Sequence, residues 1–331
     1  MTNRKLFTFL IYFLPVPVVI GSLCVGPSHG ISIDDIINVF VSKFLGLQGS
    51  SPDAIIWDIR LPRIILVFIV GAALAMSGSA LQAVFRNPLV DPFVLGLSSG
   101  AAFGASLAMA VSFFSVQMSA FVFGIVAVAA SYGMARKNGK VSIVSLILAG
   151  IIVNGVFTAL FTIVQFISDP FKLQTIVHWT MGDFHNANWH KVRSMVIPAA
   201  AGTAVLVLYR WRLNVLSLGD EEARAVGARP EREKIIILVA ATLASSAAVA
   251  VAGIISLYGL LVPHCVRMLV GVDNRRSMPL NLFFGGSFLV LIDDVSRTVA
   301  GFEIPIGVFT MLIGAPFFIF LMKKAAIGWE K

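Results

Sequence analysis

Long apolar stretches separated by short polar connections dominate the chain. A helix that crosses a bilayer needs roughly 20 apolar residues to cover about 30 Å of hydrocarbon, and by that measure the pattern predicts about ten spanning helices. They lie near residues 6–26, 63–85, 92–112, 116–135, 141–167, 192–209, 234–254, 257–271, 279–299 and 305–322. Because the first stretch follows two basic residues, a secretory signal peptide is the alternative there, although no Ala-x-Ala-like cleavage site follows it.

An internal repeat is the clearest long-range feature of the pattern. Residues 63–100 return without a gap as residues 234–271, with Pro92 matching Pro263 at the same offset. An odd number of further crossings separates the copies, so they begin on opposite sides of the membrane. Inverted repeats of this kind are typical of transporters, in which two similar bundles rock about a central path.

The predicted fold is therefore an all-α membrane protein of about ten transmembrane helices with two inverted-topology repeats, helices 2–5 and helices 7–10. A single domain covers residues 1–331, with repeat one at about 58–167 and repeat two at about 231–324. The first helix is then an addition and the sixth a connector. An inner loop at 213–230 joins the two halves.

Composition agrees with a membrane location and fixes the expected orientation. With 58% hydrophobic and 13% charged residues, the chain cannot hide its apolar surface inside a water-soluble globule. If the N-terminus is cytoplasmic, most Lys and Arg residues fall on or beside cytoplasmic connections, as the positive-inside rule requires, and the C-terminus is cytoplasmic too. The net charge of +8 thus reflects topology and not a nucleic-acid partner. Two cysteines on separate apolar segments indicate no disulfide framework.

Four connections are long or polar enough to interact with other molecules. Residues 27–60 and 168–191 are expected outside, and the second should contain a short helix near 175–181. Residues 210–233, the most charged stretch, and residues 272–278 are expected inside. The first connection carries a helical apolar stripe that we expect to lie flat on the membrane surface. The stripe consists of Ile33, Ile36, Ile37, Phe40 and Phe44.

A polar turn broken by two prolines, residues 86–92, separates the second and third predicted helices. Proline removes a backbone donor and disfavours helical geometry in the residue before it, so the chain re-enters the membrane by a defined turn. Asp91 stands where a carboxylate can accept the first N–H groups of a helix. Two interpretations stay open, a capped helix start and a constriction at the inner mouth of a pathway. Gly96, Gly100 and Gly104 then form a smooth stripe that predicts close helix packing.

Two glycines bracket the most polar part of the inner connection. The residues between them are too polar for the bilayer and predict a short helix, which could dock into a groove on another protein. A merely solvated loop is the alternative. The segment consists of Leu218, Gly219, Asp220, Glu221, Glu222, Ala223, Arg224, Ala225, Val226 and Gly227.

The chain has no Gly-x-x-x-x-Gly-Lys-[Ser/Thr] sequence, so it has no P-loop of its own. Energy for uphill transport must then come from an ion gradient or from a separate ATPase. Gradient coupling usually needs ionisable groups deep in the membrane, each costing about 2.5–3.5 kcal/mol at the bilayer centre. The first seven predicted helices carry no acidic residue near mid-depth, which favours an ATPase.

Asp293, Asp294 and Arg297 are the acidic and basic residues of the ninth predicted helix that lie towards the outside. Spacings of three and four residues let Arg297 neutralise either carboxylate on the same helix face. Alternatively, Arg297 reaches the outer surface by snorkelling and joins Arg60 and Arg63 in a positive patch for an acidic external partner.

Histidines in the outer connection raise the question of a metal site. His178, His185 and His190 have no carboxylate or cysteine at ligand spacing, so no metal site is predicted there. His264 follows Pro263 and is interpreted as a satisfied buried side chain. Nothing in the chain resembles a catalytic triad, and we expect no catalytic residue.

Several motifs in order resemble one family over nearly the whole chain. They are Arg60-Leu-Pro-Arg63, Gln82-Ala-Val-Phe-Arg-Asn-Pro-Leu-Val-Asp-Pro92, Leu148-Ala-Gly150, Trp179-Thr-Met-Gly182, Gly259-Leu-Leu-Val-Pro-His264, Asp273-Asn-Arg275, Glu303-Ile-Pro-Ile-Gly307 and Ile313-Gly-Ala-Pro-Phe317. This set resembles the permeases of iron-siderophore, haem and cobalamin ABC importers.

The resemblance implies a homodimer of ten-helix subunits in a bacterial or archaeal cytoplasmic membrane, with the pathway at the dimer axis. It also implies two cytoplasmic ATPases and an external substrate-binding protein as partners. ATP and Mg would bind to the ATPases, and this chain would need no cofactor. The expected cargo is an iron complex, a ferric siderophore or haem. Cobalamin and molybdate or tungstate are alternatives, and a gradient-driven secondary transporter is the rival class.

Site residues also follow from the resemblance. Residues 218–227 match the coupling helices that fit the ATPase cleft, and Arg60, Arg63 and Arg297 match positions that pair with acidic residues of the binding protein. Asn87 and Leu89 match the inner-mouth gate. Ser142 and Ile143 fall where a second gate element lies, although the local sequence Lys140-Val-Ser-Ile-Val departs from the polar pattern of the family.

Overall fold

Helices account for almost all of the regular structure in the computed structural model, which describes residues 2–26, 31–45, 51–112, 114–137 and 140–329. The α-helices are α1 Thr2–Phe13, α2 Pro15–Cys24, α3 Ile33–Leu45, α4 Ser51–Ala54, α5 Leu61–Phe85, α6 Leu97–Val111, α7 Val116–Ala135, α8 Ile143–Ile167, α9 Pro170–Thr180, α10 Trp189–Leu208, α11 Arg210–Leu218, α12 Asp220–Ala225, α13 Pro230–Ala252, α14 Tyr258–Val270, α15 Asn274–Ser296 and α16 Ile306–Trp329. A π-helix, Ile55–Arg60, leads into α5, and a 3₁₀ turn, Pro92–Leu95, precedes α6. Strands β1 Arg136–Lys137 and β2 Lys140–Val141 pair antiparallel.

An all-α membrane protein is confirmed by these helices. Within the described residues, six helices are long and apolar enough to cross a bilayer: Ile55–Phe85, Val116–Ala135, Ile143–Ile167, Trp189–Leu208, Pro230–Ala252 and Asn274–Ser296. The first predicted span is a bent pair, Arg4–Phe13 and Pro15–Cys24, with a 41° angle where proline interrupts the helix. Leu97–Val111, Tyr258–Val270 and Ile306–Phe320 are shorter apolar helices, so the count of ten stays a prediction.

Boundaries differ from the sequence prediction where backbone geometry intervenes. The predicted span 92–112 begins as a 3₁₀ turn, and α6 starts only after Gly96, whose φ of 81° is left-handed. In the outer connection, the predicted short helix is α9, which starts earlier because Asp169 caps it. The amphipathic stripe of the first connection is α3, in which Ile36 packs into the core while Phe44 is exposed.

α5 and α13 form the centre of the bundle. About four fifths of the most apolar part of each is buried, 83% for α5 and 78% for α13, against 28% for α8 and for α10. α5 approaches its neighbours so closely that a Cβ on Gly78 would collide with the Gly259 carbonyl oxygen, and one on Gly71 with that of Gly285. Small residues thus bring α5 against α14 and α15, as expected for helices that pack in lipid.

The two sequence copies share an unusual backbone turn. Arg86 (φ 50°) and Leu257 (φ 62°) are both in the left-handed conformation, which non-glycine residues rarely adopt. They lie at equivalent positions, the same distance along the chain from residues 63 and 234. The shared turn supports the repeat, while its inverted arrangement stays a prediction.

Candidate functional site

Connections that were predicted on the same side of the membrane meet at one end of the bundle. A cavity of about 250 Å³ is lined by residues of α5, α7, α8, α12 and α13, among them Tyr132, Asp220 and Lys234. At the opposite end, Arg63 and Glu303 line a cavity of about 170 Å³. We call these regions the α12 end and the Arg63 end.

α12 is a short polar helix held between two glycines. Gly219 (φ 139°) and Gly227 (φ 82°) both have backbone conformations that other residues rarely adopt, so each permits a sharp turn. Ala223 is fully buried and anchors the helix in the core, whereas Leu218 and Val226, at its two ends, are 66% and 58% exposed. Two aliphatic side chains, Leu218 at the end of α11 and Val226 just after α12, therefore face the surroundings on either side of a charged helix.

Two ion pairs tie α12 to the first turns of α13. The Lys234 Nζ donates to both carboxylate oxygens of Asp220 at 2.6 Å, and Arg224 pairs with Glu231. The Lys234 side chain is only 17% exposed, so this pair is partly protected from water, while Arg224 and Glu231 are both exposed. Asp220 belongs to the polar segment predicted from the sequence, whereas its partner Lys234 was not predicted, because it lies 14 residues away on the next helix.

A polar cleft of about 430 Å³ also opens at the α12 end. In its wall, Arg267 donates to the Gln82 Oε1, and the Gln82 Nε2 donates to the Gly259 carbonyl oxygen at 3.1 Å. These contacts fasten the end of α5 nearest α12 to α14. Asn214 on α11 lies in the same wall and contacts the start of α15.

The four predicted gate residues do not meet within this chain. Asn87 lines the 430 Å³ cleft, and its Oδ1 accepts the Leu89 N–H at 2.9 Å, while the Leu89 side chain is 64% exposed. Ser142 and Ile143 line the 250 Å³ cavity instead, where the Ser142 hydroxyl caps α8. A gate built from both pairs therefore requires another copy of the chain or another conformation.

The turn that contains the gate residues is fixed by capping and close packing. Asp91 accepts the N–H groups of Phe93 and Val94, at 3.0 and 3.2 Å, which is the capped helix start described above. A Cβ on Gly150 of α8 would collide with the Val94 carbonyl oxygen. α8 thus packs directly on the turn, and this contact needs glycine.

At the Arg63 end, one guanidinium group joins several elements. Arg63 forms a bidentate pair with Asp293, at 2.8 and 2.9 Å, and its Nη1 donates to the Glu303 Oε1 at 2.6 Å. His185 contacts the other Glu303 oxygen at 3.2 Å. Burial alone would raise the pKa of Glu303, but the hydrogen bond and charge of Arg63 hold that pKa below its usual value.

The three arginines proposed for docking are buried in this conformation. Arg60, Arg63 and Arg297 are 3%, 9% and 6% exposed. Arg297 pairs with Asp294, three residues earlier on the same helix, as the spacing predicted, and also bonds Ser22. The alternative of snorkelling to an open positive patch is not found in this conformation, because internal carboxylates compensate Arg63 and Arg297 while Arg60 donates to the Leu23 carbonyl oxygen.

Carboxylates do accompany two of the outer histidines, contrary to the sequence-based expectation. Asp183 lies 2.8 Å from the His178 Nδ1, and Glu303 contacts His185. The fold brings Glu303 from a connection far along the chain, which spacing could not show. His190 is exposed, and His264 is half-buried with its ring edge-on to Phe317. Within the described ranges, no group of three or more His, Cys, Asp or Glu side chains is arranged to hold a metal ion.

Comparisons with known proteins agree with this architecture. The chain is 38% identical over 330 residues to the molybdate import system permease protein MolB of Haemophilus influenzae, covering 98% of this chain and 97% of that protein. It is 40% identical over 287 residues to the cobalamin import system permease protein BtuC of Halobacterium salinarum, covering 85% and 77%. A metal-chelate type ABC transporter solved in an inward-facing conformation superposes with a TM-score of 0.84 at 36% identity, covering 97% and 99%.

The family assignment follows from a match along almost the entire chain. The model of the FecCD transport family matches residues 13–324, which include both ends described above. With its spanning helices and the similarity to a metal-chelate type ABC transporter, the chain is a membrane permease. This protein therefore belongs to the FecCD transport family, as an ABC importer permease of that type.

Proposed function

We propose that this chain is the permease subunit of an ATP-driven importer that carries an iron complex, a ferric siderophore or haem, into the cytoplasm. It works as a homodimer with two cytoplasmic ATPases and an external substrate-binding protein. The ATPases bind ATP and Mg, and the chain itself supplies the path. The observation that carries this proposal is α12, a charged helix with exposed aliphatic residues at both ends.

The exposed ends of α12 support an ATPase partner. Leu218 and Val226 expose aliphatic surface on a loop too polar for the bilayer, so lipid is not their natural cover. A groove on a water-soluble ATPase would remove both from water, and the charged face between them would set the register. The α12 end is then cytoplasmic, and both termini lie on that side.

The distribution of buried charge disfavours the gradient-driven rival. Among the described residues, the buried charged side chains all lie within about one turn of a helix end or on the cap residue beside it. They are Asp53, Arg60, Arg63, Asp91, Glu233, Asp293 and Arg297. Ion coupling usually relies on ionisable groups near mid-membrane. α8, which begins at the second predicted gate element, carries no ionisable residue at all.

Docking of a binding protein at the Arg63 end requires a change of partners. Arg63 and Arg297 are held by the chain's own carboxylates, so acidic groups of a partner compete with Asp293, Asp294 and Glu303. Release of these contacts on docking would loosen the outer end and favour the state that accepts cargo.

The exposed aliphatic face of α8 supports a dimer with a central path. Val144, Leu148, Ile151, Ile152 and Val156 are all more than half exposed, along one predicted span. A second copy facing this surface would enclose a weakly sticky, uncharged passage. Such a passage accepts an iron complex, and it equally accepts cobalamin or molybdate, the cargoes that the names of two relatives give.

Reconstitution tests the proposal directly. Proteoliposomes with this chain, its ATPase and its binding protein are offered labelled ferric hydroxamate, haemin, cyanocobalamin and molybdate, with and without ATP. ATP-dependent uptake of an iron complex is expected, whereas uptake of cobalamin or molybdate alone reassigns the cargo. Uptake by the chain without an ATPase supports the secondary transporter and overturns the proposal.

A variant pair tests the α12 surface. Leu218→Asp with Val226→Asp should abolish co-purification of the ATPase, because it places two charges where the proposed groove needs aliphatic surface. Both residues are exposed, so their replacement leaves no cavity and the chain should still fold. Phe302→Asp changes a similarly exposed residue, 71%, in the connection at the Arg63 end and should leave ATPase binding unchanged. Normal ATPase binding by the double variant would contradict the assignment of α12.

A further inference from the structure

Asn214 makes three hydrogen bonds across the chain to the start of α15. Its Nδ2 donates to the Asp273 Oδ1 at 2.6 Å, and its Oδ1 accepts the Asn274 backbone N–H at 2.8 Å and the Asn274 Nδ2 at 2.9 Å. Asn274 is 7% exposed, so these bonds are partly shielded from water. About 60 residues separate the partners, and the contact is purely tertiary.

The chemistry of an amide side chain fits this position closely. The first N–H groups of a helix have no partner within the helix, and Asp273 caps one of them by accepting the Arg275 N–H at 2.9 Å. The Asn214 oxygen takes the Asn274 N–H, while its NH₂ group bonds the capping carboxylate itself. The hydrogen bond from Asn214 holds the pKa of the Asp273 carboxyl below its usual value, because it stabilises the charged form.

α11 connects this contact directly to α12. Only Gly219 separates the end of α11 from the start of α12. α11 is itself anchored, because Leu213 and Leu216 are fully buried on either side of Asn214. A displacement of α12 therefore moves α11. Asn214 is the residue through which α11 is hydrogen-bonded to the start of α15.

α15 extends from its contact with Asn214 to the opposite end of the bundle. Its 23 residues correspond to a length of about 35 Å. Near its far end, Asp293 forms the bidentate pair with Arg63. One helix thus contacts both α11, which adjoins the segment assigned to the ATPase, and the arginine assigned to the binding protein.

We propose that Asn214 is the positioning residue that joins the α11–α12 unit to α15, so that movement of α12 is delivered along α15 to Arg63. The proposal rests on the function proposed above. Because coupling between two sites is reciprocal, docking at the Arg63 end then also shifts α12. Asn214 neither binds cargo nor catalyses a reaction. Its role is to make two distant surfaces move together.

An isosteric variant removes the hydrogen bond to Asp273 with little change in shape. Asn214→Asp loses the donor and sets a second carboxylate against Asp273, which repels it. The double variant Asn214→Asp with Asp273→Asn restores the bond with its polarity reversed, since the new amide can donate to the new carboxylate. Ser217→Ala is the matched control on α11, because the Ser217 hydroxyl bonds mainly the Leu213 carbonyl oxygen of its own helix, at 2.7 Å.

The measurement is cargo taken up per ATP hydrolysed by the reconstituted complex, with the cargo identified in the panel above. We expect Asn214→Asp to lower this ratio roughly fivefold or more, the lower range of typical coupling between sites. The double variant should recover most of the ratio, and Ser217→Ala should keep it. A merely structural role would instead reduce the yield of assembled complex and leave the ratio of the surviving complex unchanged.

Each outcome supports or overturns the proposal that Asn214 joins the α11–α12 unit to α15. An unchanged ratio in assembled Asn214→Asp complex overturns it, as does a double variant that stays as low as the single. If Asn214→Asp does not assemble, Asn214→Ala takes its place and must show the same loss of ratio. Failure of the proposed function is distinguishable, because the wild-type complex would then show no ATP-dependent uptake at all.

Discussion

The two ends of the bundle use equivalent positions of the repeat in different ways. Arg63 and Lys234 open the two sequence copies, and each forms ion pairs with carboxylates from another element. Arg63 holds two carboxylates, and its side chain is 10% exposed, whereas Lys234 holds Asp220 alone and is 17% exposed beside a partner that is 31% exposed. At the Arg63 end the arginine thus belongs to a buried network, whereas at the α12 end Lys234 forms one pair near the surface.

This difference indicates how each end responds to a partner. Arginine's planar fork holds carboxylates in a fixed bidentate geometry, while the lysine ammonium is a point charge on a flexible stem. Breaking the Arg63 network leaves buried charges uncompensated, so it should open only when a partner supplies replacements. The Lys234 pair can break and re-form at low cost, as a moving α12 requires.

The largest expected effect comes from removing Arg63. Arg63→Met leaves the buried Asp293 without its bidentate partner and should lower the free energy of unfolding by about 3 kcal/mol. Thermal unfolding of the purified chain in detergent measures this. Arg63→Met combined with Asp293→Leu should recover part of the loss, because the more deeply buried of the two carboxylates is then no longer stranded. A single variant as stable as wild type would show that water or Arg297 already compensates Asp293, and the contrast between the ends would disappear.

Removal of Lys234 should affect stability less and transport more. Lys234→Gln loses a partly exposed pair, for which about 1 kcal/mol is expected. Uptake per ATP should nevertheless fall, because the less exposed of the two ion pairs that hold α12 to α13 is then missing. Exchange of the two charges, Asp220→Lys with Lys234→Asp, is the control and should restore uptake in the reconstituted complex. Equal uptake by Lys234→Gln and wild type would mean that α11 alone transmits the movement of α12.

Local features of this contrast were predictable from the sequence, and the long-range ones were not. The glycines at 219 and 227 indicated a short helix, and the spacing of Asp294 and Arg297 predicted their pairing, because both depend on residues close in the chain. The partners of Arg63 lie 230 and 240 residues away, and no periodicity reports such a distance. Hydropathy likewise located the apolar segments, but it did not show that α6 starts only after a left-handed glycine.

Acidic pH should weaken the Arg63 end selectively. Burial and Arg63 act oppositely on the Glu303 carboxyl, and the net pKa lies below its ordinary value of 4.5. A carboxyl whose pKa is lowered in the folded state contributes stability above its ordinary value and loses it as the pH falls through the folded-state pKa. Wild type should therefore unfold at a higher temperature than Glu303→Gln at pH 7, with the difference shrinking below 4.5. A difference independent of pH would mean that shape, and not the charge facing Arg63 and His185, accounts for the contribution of Glu303.

The smallest effect is expected from Arg224, the second basic residue that ties α12 to α13. Its side chain is 46% exposed and that of Glu231 is 42% exposed, so water and salt screen the pair. Arg224→Ala should leave the unfolding temperature unchanged within error and should reduce uptake per ATP less than Lys234→Gln does. The two pairs join the same helices but differ in exposure. The comparison therefore shows whether the effect of losing a pair depends on how deeply that pair is buried. If Arg224→Ala proves as damaging as Lys234→Gln, the exposed charge must itself contact the ATPase, and the α12 end would then depend on its partner as strongly as the Arg63 end does.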